Sequence, residues 1–122
     1  MELKNQVTNL ELSKKLKELG VKQESLFYWA TYDDGEARIK SFKDDFQVKE
    51  LYSAFTVAEL GEILPWSLRE NAVGKFGKNG YGEYIAEYHT AFKAPVCRFF
   101  EKTEADARAK MLIYLLENNL IK

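Results

Sequence analysis

The chain has little of what most site chemistry needs. Its one cysteine, Cys97, excludes an internal disulfide framework and a cysteine-rich zinc site. Its one histidine, His89, leaves no pair of imidazoles to hold a metal, so neither a metal nor a cofactor is expected. No stretch approaches the ~18 continuous apolar residues of a membrane span. Basic residues number 18 against 19 acids, so the strong basic excess of a duplex-binding protein is missing. The opening Met-Glu-Leu-Lys-Asn-Gln lacks the basic-then-apolar order of a secretory signal, and with the lone thiol this points to the cytoplasm. Neither a Gly-x-x-x-x-Gly-Lys-Ser/Thr loop nor a Gly-x-Ser-x-Gly elbow occurs.

What the chain does have is patterning. An apolar share of 46% over 122 residues suits one domain, residues 1–122, with its own core. Three threonines are each followed three residues on by an acid, at the door of an apolar helical run: Thr8…Glu11, Thr56…Glu59 and Thr103…Asp106. The first two match a capping box, and the third is a weaker relative because aspartate is shorter. Val7 with Leu12, and Phe55 with Leu60, add apolar pairs that would staple the first two starts.

These starts predict a helix over about Asn9–Leu19 closed by Gly20, a short one from Val57 to about Leu64 closed by Pro65, and a third over about Glu104–Asn118. The third is apolar around much of its circumference, which suits a buried element. Between them, Leu26–Tyr32 and Ala37–Phe42 flank an Asp33-Asp34-Gly35 turn, and Phe46–Tyr52 suits a further short strand. Glu83–Phe92 alternates best, with Tyr84, Ala86, Tyr88, Thr90 and Phe92 on one face and Glu83, Ile85, Glu87 and His89 on the other. Lys93-Ala94-Pro95 would turn it into Val96–Glu101. From Trp66 to Gly82 the pattern weakens, and glycines at 74, 77, 80 and 82 suggest a mobile loop or loose hairpin. The expected fold is α+β, in the order α-ββ-α-ββ-α, with antiparallel hairpins packed on a buried C-terminal helix. Helices one and two share Thr-x-x-Glu-Leu, but the likeness ends there, too soon to establish an internal duplication.

Five places can carry chemistry or binding. His89 shares a strand face with Glu87 and Glu83, an arrangement that holds a general base near neutral pH. The same pattern describes the wet face of an antiparallel sheet, and that ordinary reading is favoured. Cys97 stands beside Arg98, which alternation points to the opposite face, so a buried, inert thiol is favoured over a reactive one. A Cys97–His89 dyad across the hairpin is the sharper alternative. The Gly74–Gly82 stretch mixes Lys75, Lys78, Phe76 and Tyr81 and suits phosphate or single-strand contact, or simply a flexible linker. Lys14, Lys15, Lys17 and Lys22 form the densest basic cluster, diluted by Glu11 and Glu18. Phe27, Tyr28 and Trp29 in a row must place aromatics on both faces of their strand. Phe27, Trp29 and Trp66 are the candidate partner-binding residues, Trp29 suiting a core as well.

The stretches Leu10–Trp29, Ala54–Glu62 and Thr103–Leu112, which take in the helices and the first strand, resemble a group of small, functionally unassigned proteins encoded by bacteriophages and prophages. The resemblance covers about half of the chain and implies a phage setting in a bacterial cytoplasm. It brings no catalytic residue with it. The expectation is therefore a non-enzymatic interaction module that binds a phage or host protein and forms a homodimer in one version. The alternatives are a small enzyme or nucleotide-handling protein built on His89, Glu87 and the Gly74–Gly82 stretch, and a single-stranded nucleic-acid contact through that stretch.

Overall fold

The computed structural model describes residues 2–42, 47–65, 67–68, 72–89 and 95–121. A 3-10 turn at Leu3–Asn5 leads into α1 (Leu10–Glu18), then β1 (Phe27–Thr31), β2 (Ala37–Lys40) and β3 (Glu50–Ala54). After α2 (Val57–Ile63) come β4 (Ser67–Leu68), β5 (Ala72–Lys78), β6 (Tyr84–His89) and β7 (Pro95–Glu101), and α3 (Glu104–Glu117) closes the order. Two antiparallel sheets result, β2-β1-β3 and β4-β5-β6-β7. This is the expected α+β arrangement, with the C-terminal helix packed on β6 and β7. The sheets differ in connectivity: β1 is central in the first, while the second is a meander. Among the described residues no helix is long and apolar enough to cross a membrane.

The helix starts are decided by local chemistry in two cases and by distant partners in the third. At α2 the full capping box forms: Glu59 N–H donates to Thr56 Oγ1, and Thr56 N–H donates to the Glu59 carboxylate. At α3 the Asp106 N–H donates to Thr103 Oγ1, but the Asp106 carboxylate reaches away, accepting from the backbone N–H of Asn9 at 2.9 Å and its side-chain amide at 3.3 Å. Burial raises the Asp106 carboxyl above its ordinary range while the Asn9 and Thr103 bonds pull it back. At α1 the expected Thr8 cap is not used. Asn9 caps instead, its Oδ1 accepting from Leu12 N–H at 2.8 Å. Shifting the start by one residue puts Thr8 and Ser13 where the apolar staple would sit, and their hydroxyls bond at 2.6 Å.

The ends follow the same logic. Gly20, at φ +86°, closes α1 with its N–H on Lys17 and that of Val21 on Leu16. Leu64 is extended at ψ 128°, as the following Pro65 demands. The main core gathers Leu16 from α1, Phe55 and Leu60 at α2, Ala86, Tyr88 and Cys97 from the larger sheet, and Ala105, Ala109, Met111, Leu112 and Leu115 from α3.

One expectation is corrected here. Of the mobile loop and the loose hairpin expected at Gly74–Gly82 the structure shows a hairpin, but a regular one, with Gly74–Lys78 forming the larger part of a seven-residue strand before a tight turn. Glycine costs a strand backbone entropy and packing, but Gly74 lies directly opposite Tyr88, whose ring covers it. Tyr88 in turn meets Phe76 edge-on, with centroids 6.0 Å apart, and the Arg108 guanidinium sits 4.4 Å over Phe76. Cross-strand packing supplies what the local sequence withholds.

Two tyrosines make the stability of the fold depend on pH. Burial pushes Tyr88, whose hydroxyl donates to the Pro65 carbonyl, up to about 12. The carboxylate of Glu50, accepting from Tyr52, pushes that phenol to about 12 as well. An acid held above its ordinary value keeps its proton longer in the folded state than in the unfolded one. Their contribution is therefore fully present below pH ~10 and is lost as pH rises toward about 12. Urea unfolding at pH ~9 and ~11.5 should show a lower midpoint at the higher pH. Equal midpoints would contradict this.

Candidate functional site

The hairpin joining β5 to β6 carries the most exposed large hydrophobic side chain among the described residues. Asn79 and Glu83 close it, with Asn79 N–H on the Glu83 carbonyl at 2.9 Å. Asn79 Oδ1 then accepts from the N–H groups of Tyr81 (2.9 Å) and Glu83 (3.0 Å), and its amide donates to the Glu83 carboxylate. Gly82 adopts φ +83°, the left-handed geometry that ends such a three-residue turn. The turn at Tyr32–Glu36 is built alike, with Gly35 at φ +86°. In the β5–β6 turn the residue presented at the tip is Tyr81, 92% exposed. Sequence reasoning placed Tyr81 in a loop suited to phosphate or single-strand contact and singled out other aromatics for protein binding. The available signal was an aromatic between two glycines, next to an asparagine able to hold the turn.

On the outer face of this sheet, the candidates Glu83, Glu87 and His89 do lie on the same side of β6, but each acid has another partner. Glu83 is bound to Asn79 at the turn, and Glu87, nearly buried, accepts from Arg98 Nε at 2.6 Å across the β6–β7 pair. His89 sits past a register shift, opposite Pro95. Cys97 faces the other way, opposite Tyr88 in the core, with its Sγ 3.4 Å from Met111 Sδ. The Cys97–His89 dyad is thus corrected: the two residues lie on opposite faces. Burial pushes the Cys97 thiol up, away from reactivity.

Among the aromatic candidates, Trp29 is half-buried and donates its indole N–H to the Thr8 carbonyl at 2.8 Å, which ties it to the N-terminal segment. Phe27 is half-buried opposite Ala54. Trp66 lies outside the described residues, as do Phe46, Thr90, Phe92 and the expected turn residues Lys93 and Ala94. The lysine cluster is dispersed into separate contacts. Lys17 donates to the Leu51 carbonyl and, with Lys14, covers the Tyr52 ring; Lys15 pairs with Glu117 and Lys22 with Glu24.

A cleft of about 480 Å³ opens beside the helix ends, lined by Leu19, Val21, Phe55, Ile63, Leu112 and Ile121, with the Lys22–Glu24 pair also on its wall. Among the described residues no three His, Cys, Asp or Glu side chains are placed to hold a metal ion. Comparison of the chain with family models, curated proteins and solved structures finds no match.

Proposed function

We propose that the protein is a non-enzymatic interaction module whose contact element is the β5–β6 hairpin. The observation that carries this is Tyr81, 92% exposed at the tip of a turn held by the two N–H bonds to Asn79 Oδ1. A large aromatic on a prearranged backbone loses little freedom on binding, which is how a contact residue gains affinity. The resemblance of the helices suggests a phage or host protein as the partner. The balance of 18 basic against 19 acidic residues favours a protein over a nucleic acid as that partner.

The test is affinity capture from bacterial lysate, with and without nuclease, using the wild-type chain and Tyr81→Ala. Because Tyr81 is 92% exposed, the variant should unfold at the wild-type temperature. Its partner should be captured at least ~30-fold more weakly, the scale of a contact worth about 2 kcal/mol. Recovery unchanged by Tyr81→Ala, or abolished by nuclease, would sink the reading; the latter would favour the nucleic-acid alternative.

A further inference from the structure

The backbone of β5 beyond β4 is laid out for one more strand. Asn79 and Glu83 form a hydrogen-bonded pair, so by antiparallel alternation Gly77/Ile85 and Lys75/Glu87 are also bonded pairs. Lys78, Phe76 and Gly74 therefore turn their N–H and C=O groups away from β6. Among the described residues β4 pairs with Ala72 and Val73, and no strand covers the rest. The contrast lies at β3, the edge of the other sheet. There Gln23 accepts from Ser53 N–H at 2.8 Å and Lys17 donates to the Leu51 carbonyl at 3.0 Å, closing the edge with side chains. An open edge is a template for an extended chain.

The chemistry of β5 narrows the occupant. Its seven residues, Ala-Val-Gly-Lys-Phe-Gly-Lys, carry two lysines and no acid. Lys75 and Lys78 are exposed and, by alternation, flank the open edge from both faces of the sheet. At Gly77 nothing lies within 4 Å of where a side chain would start, leaving room beside Ile85 for a residue of the incoming strand. We infer that the partner is held as an added β-strand along Gly74–Lys78, through an extended acidic segment of another protein. This rests on the interaction-module reading and deepens it, since β5 runs directly into the Tyr81 turn. Pairing of two copies along β5 would bring four lysines together, which disfavours a homodimer there.

The test is a titration of the isotope-labelled chain with a short capped peptide of alternating glutamate and valine, followed by amide resonances and hydrogen exchange. Protection should appear at Gly74, Phe76 and Lys78. The variant Lys78→Pro removes an N–H that alternation turns away from β6, so it should fold and yet bind about tenfold more weakly, the scale of one lost hydrogen bond. Lys78→Gln, which removes charge but keeps the N–H, should cost about threefold at most. A peptide N-methylated on its edge-facing amides should fail against the wild-type chain, a result that does not depend on any variant folding. Protection along Pro95–Glu101 or Ala37–Lys40 instead, equal binding of a lysine-valine peptide, or no binding at all would overturn the inference. Lysate capture that depends on Tyr81 but ignores Lys78→Pro would overturn strand addition while leaving the module intact. Loss of Tyr81 dependence with peptide protection retained would do the reverse.

Discussion

Thr8→Val should destabilise the fold by roughly 3 kcal/mol, although it changes almost no volume. Thr8 is fully buried and bonds in every direction. Its N–H donates to the Phe55 carbonyl at 2.9 Å, and its own carbonyl accepts the Trp29 indole. Its Oγ1 accepts from Phe55 N–H at 3.2 Å and shares a proton with Ser13 Oγ, which donates to the Asn9 carbonyl at 2.7 Å. One ordering satisfies every group: Phe55 N–H to Thr8, Thr8 hydroxyl to Ser13, Ser13 hydroxyl to Asn9. Valine preserves the two backbone bonds and breaks this chain at its centre, leaving the Phe55 N–H buried without an acceptor. Each such orphan costs about 1–3 kcal/mol. Thr8→Ser keeps the hydroxyl and loses one methyl, so its cost should stay near 1 kcal/mol. Urea unfolding with an unchanged slope would measure both. A valine variant within ~0.5 kcal/mol of wild type would mean that water replaces the lost hydroxyl.

Gly74→Ala and Gly77→Ala should move stability in opposite directions, although both alter a glycine of β5. A Cβ at Gly74 would stand 2.9 Å from Tyr88 Cε1 and 3.0 Å from Phe76 Cε2. Tyr88 cannot swing aside, since its ring is fully buried and its hydroxyl is tied to Pro65. Overpacking of this kind costs about 2 kcal/mol. At Gly77 a Cβ meets nothing within 4 Å, so alanine there removes unfolded-state entropy and gains roughly 0.5 kcal/mol. Thermal unfolding of the two variants side by side decides it. Equal effects would mean that Tyr88 does not pack on the Gly74 backbone.

These two cases also mark where the sequence was legible. Thr56 with Glu59 and Thr103 with Asp106 announced their helices because a cap bonds its own next turn. Gly20 and Pro65 announced the ends for the same local reason. The cap of α1 was not legible, because Thr8 and Asn9 are both good caps and the choice rests on Phe55 and Asp106, far along the chain. β5 was missed because its glycines weaken the local pattern, while the Tyr88 ring that compensates belongs to the next strand. Alternation placed Glu87 and His89 on one face of β6, but the register that gives Glu87 to Arg98 is a property of the paired strands. Tyr81 was visible as a residue, yet its exposure follows from how Asn79 folds the turn.

The grip of Asp106 on Asn9 spans 97 residues of chain. During synthesis Asn9 leaves the ribosome long before Asp106 exists, and the partner strands and helices that receive Thr8 and Leu16 also come later. α1 is thus made early and secured late. A nascent chain stalled before residue 106 should carry its N-terminal segment open to proteases, and protection there should arrive only when α3 has emerged and docked.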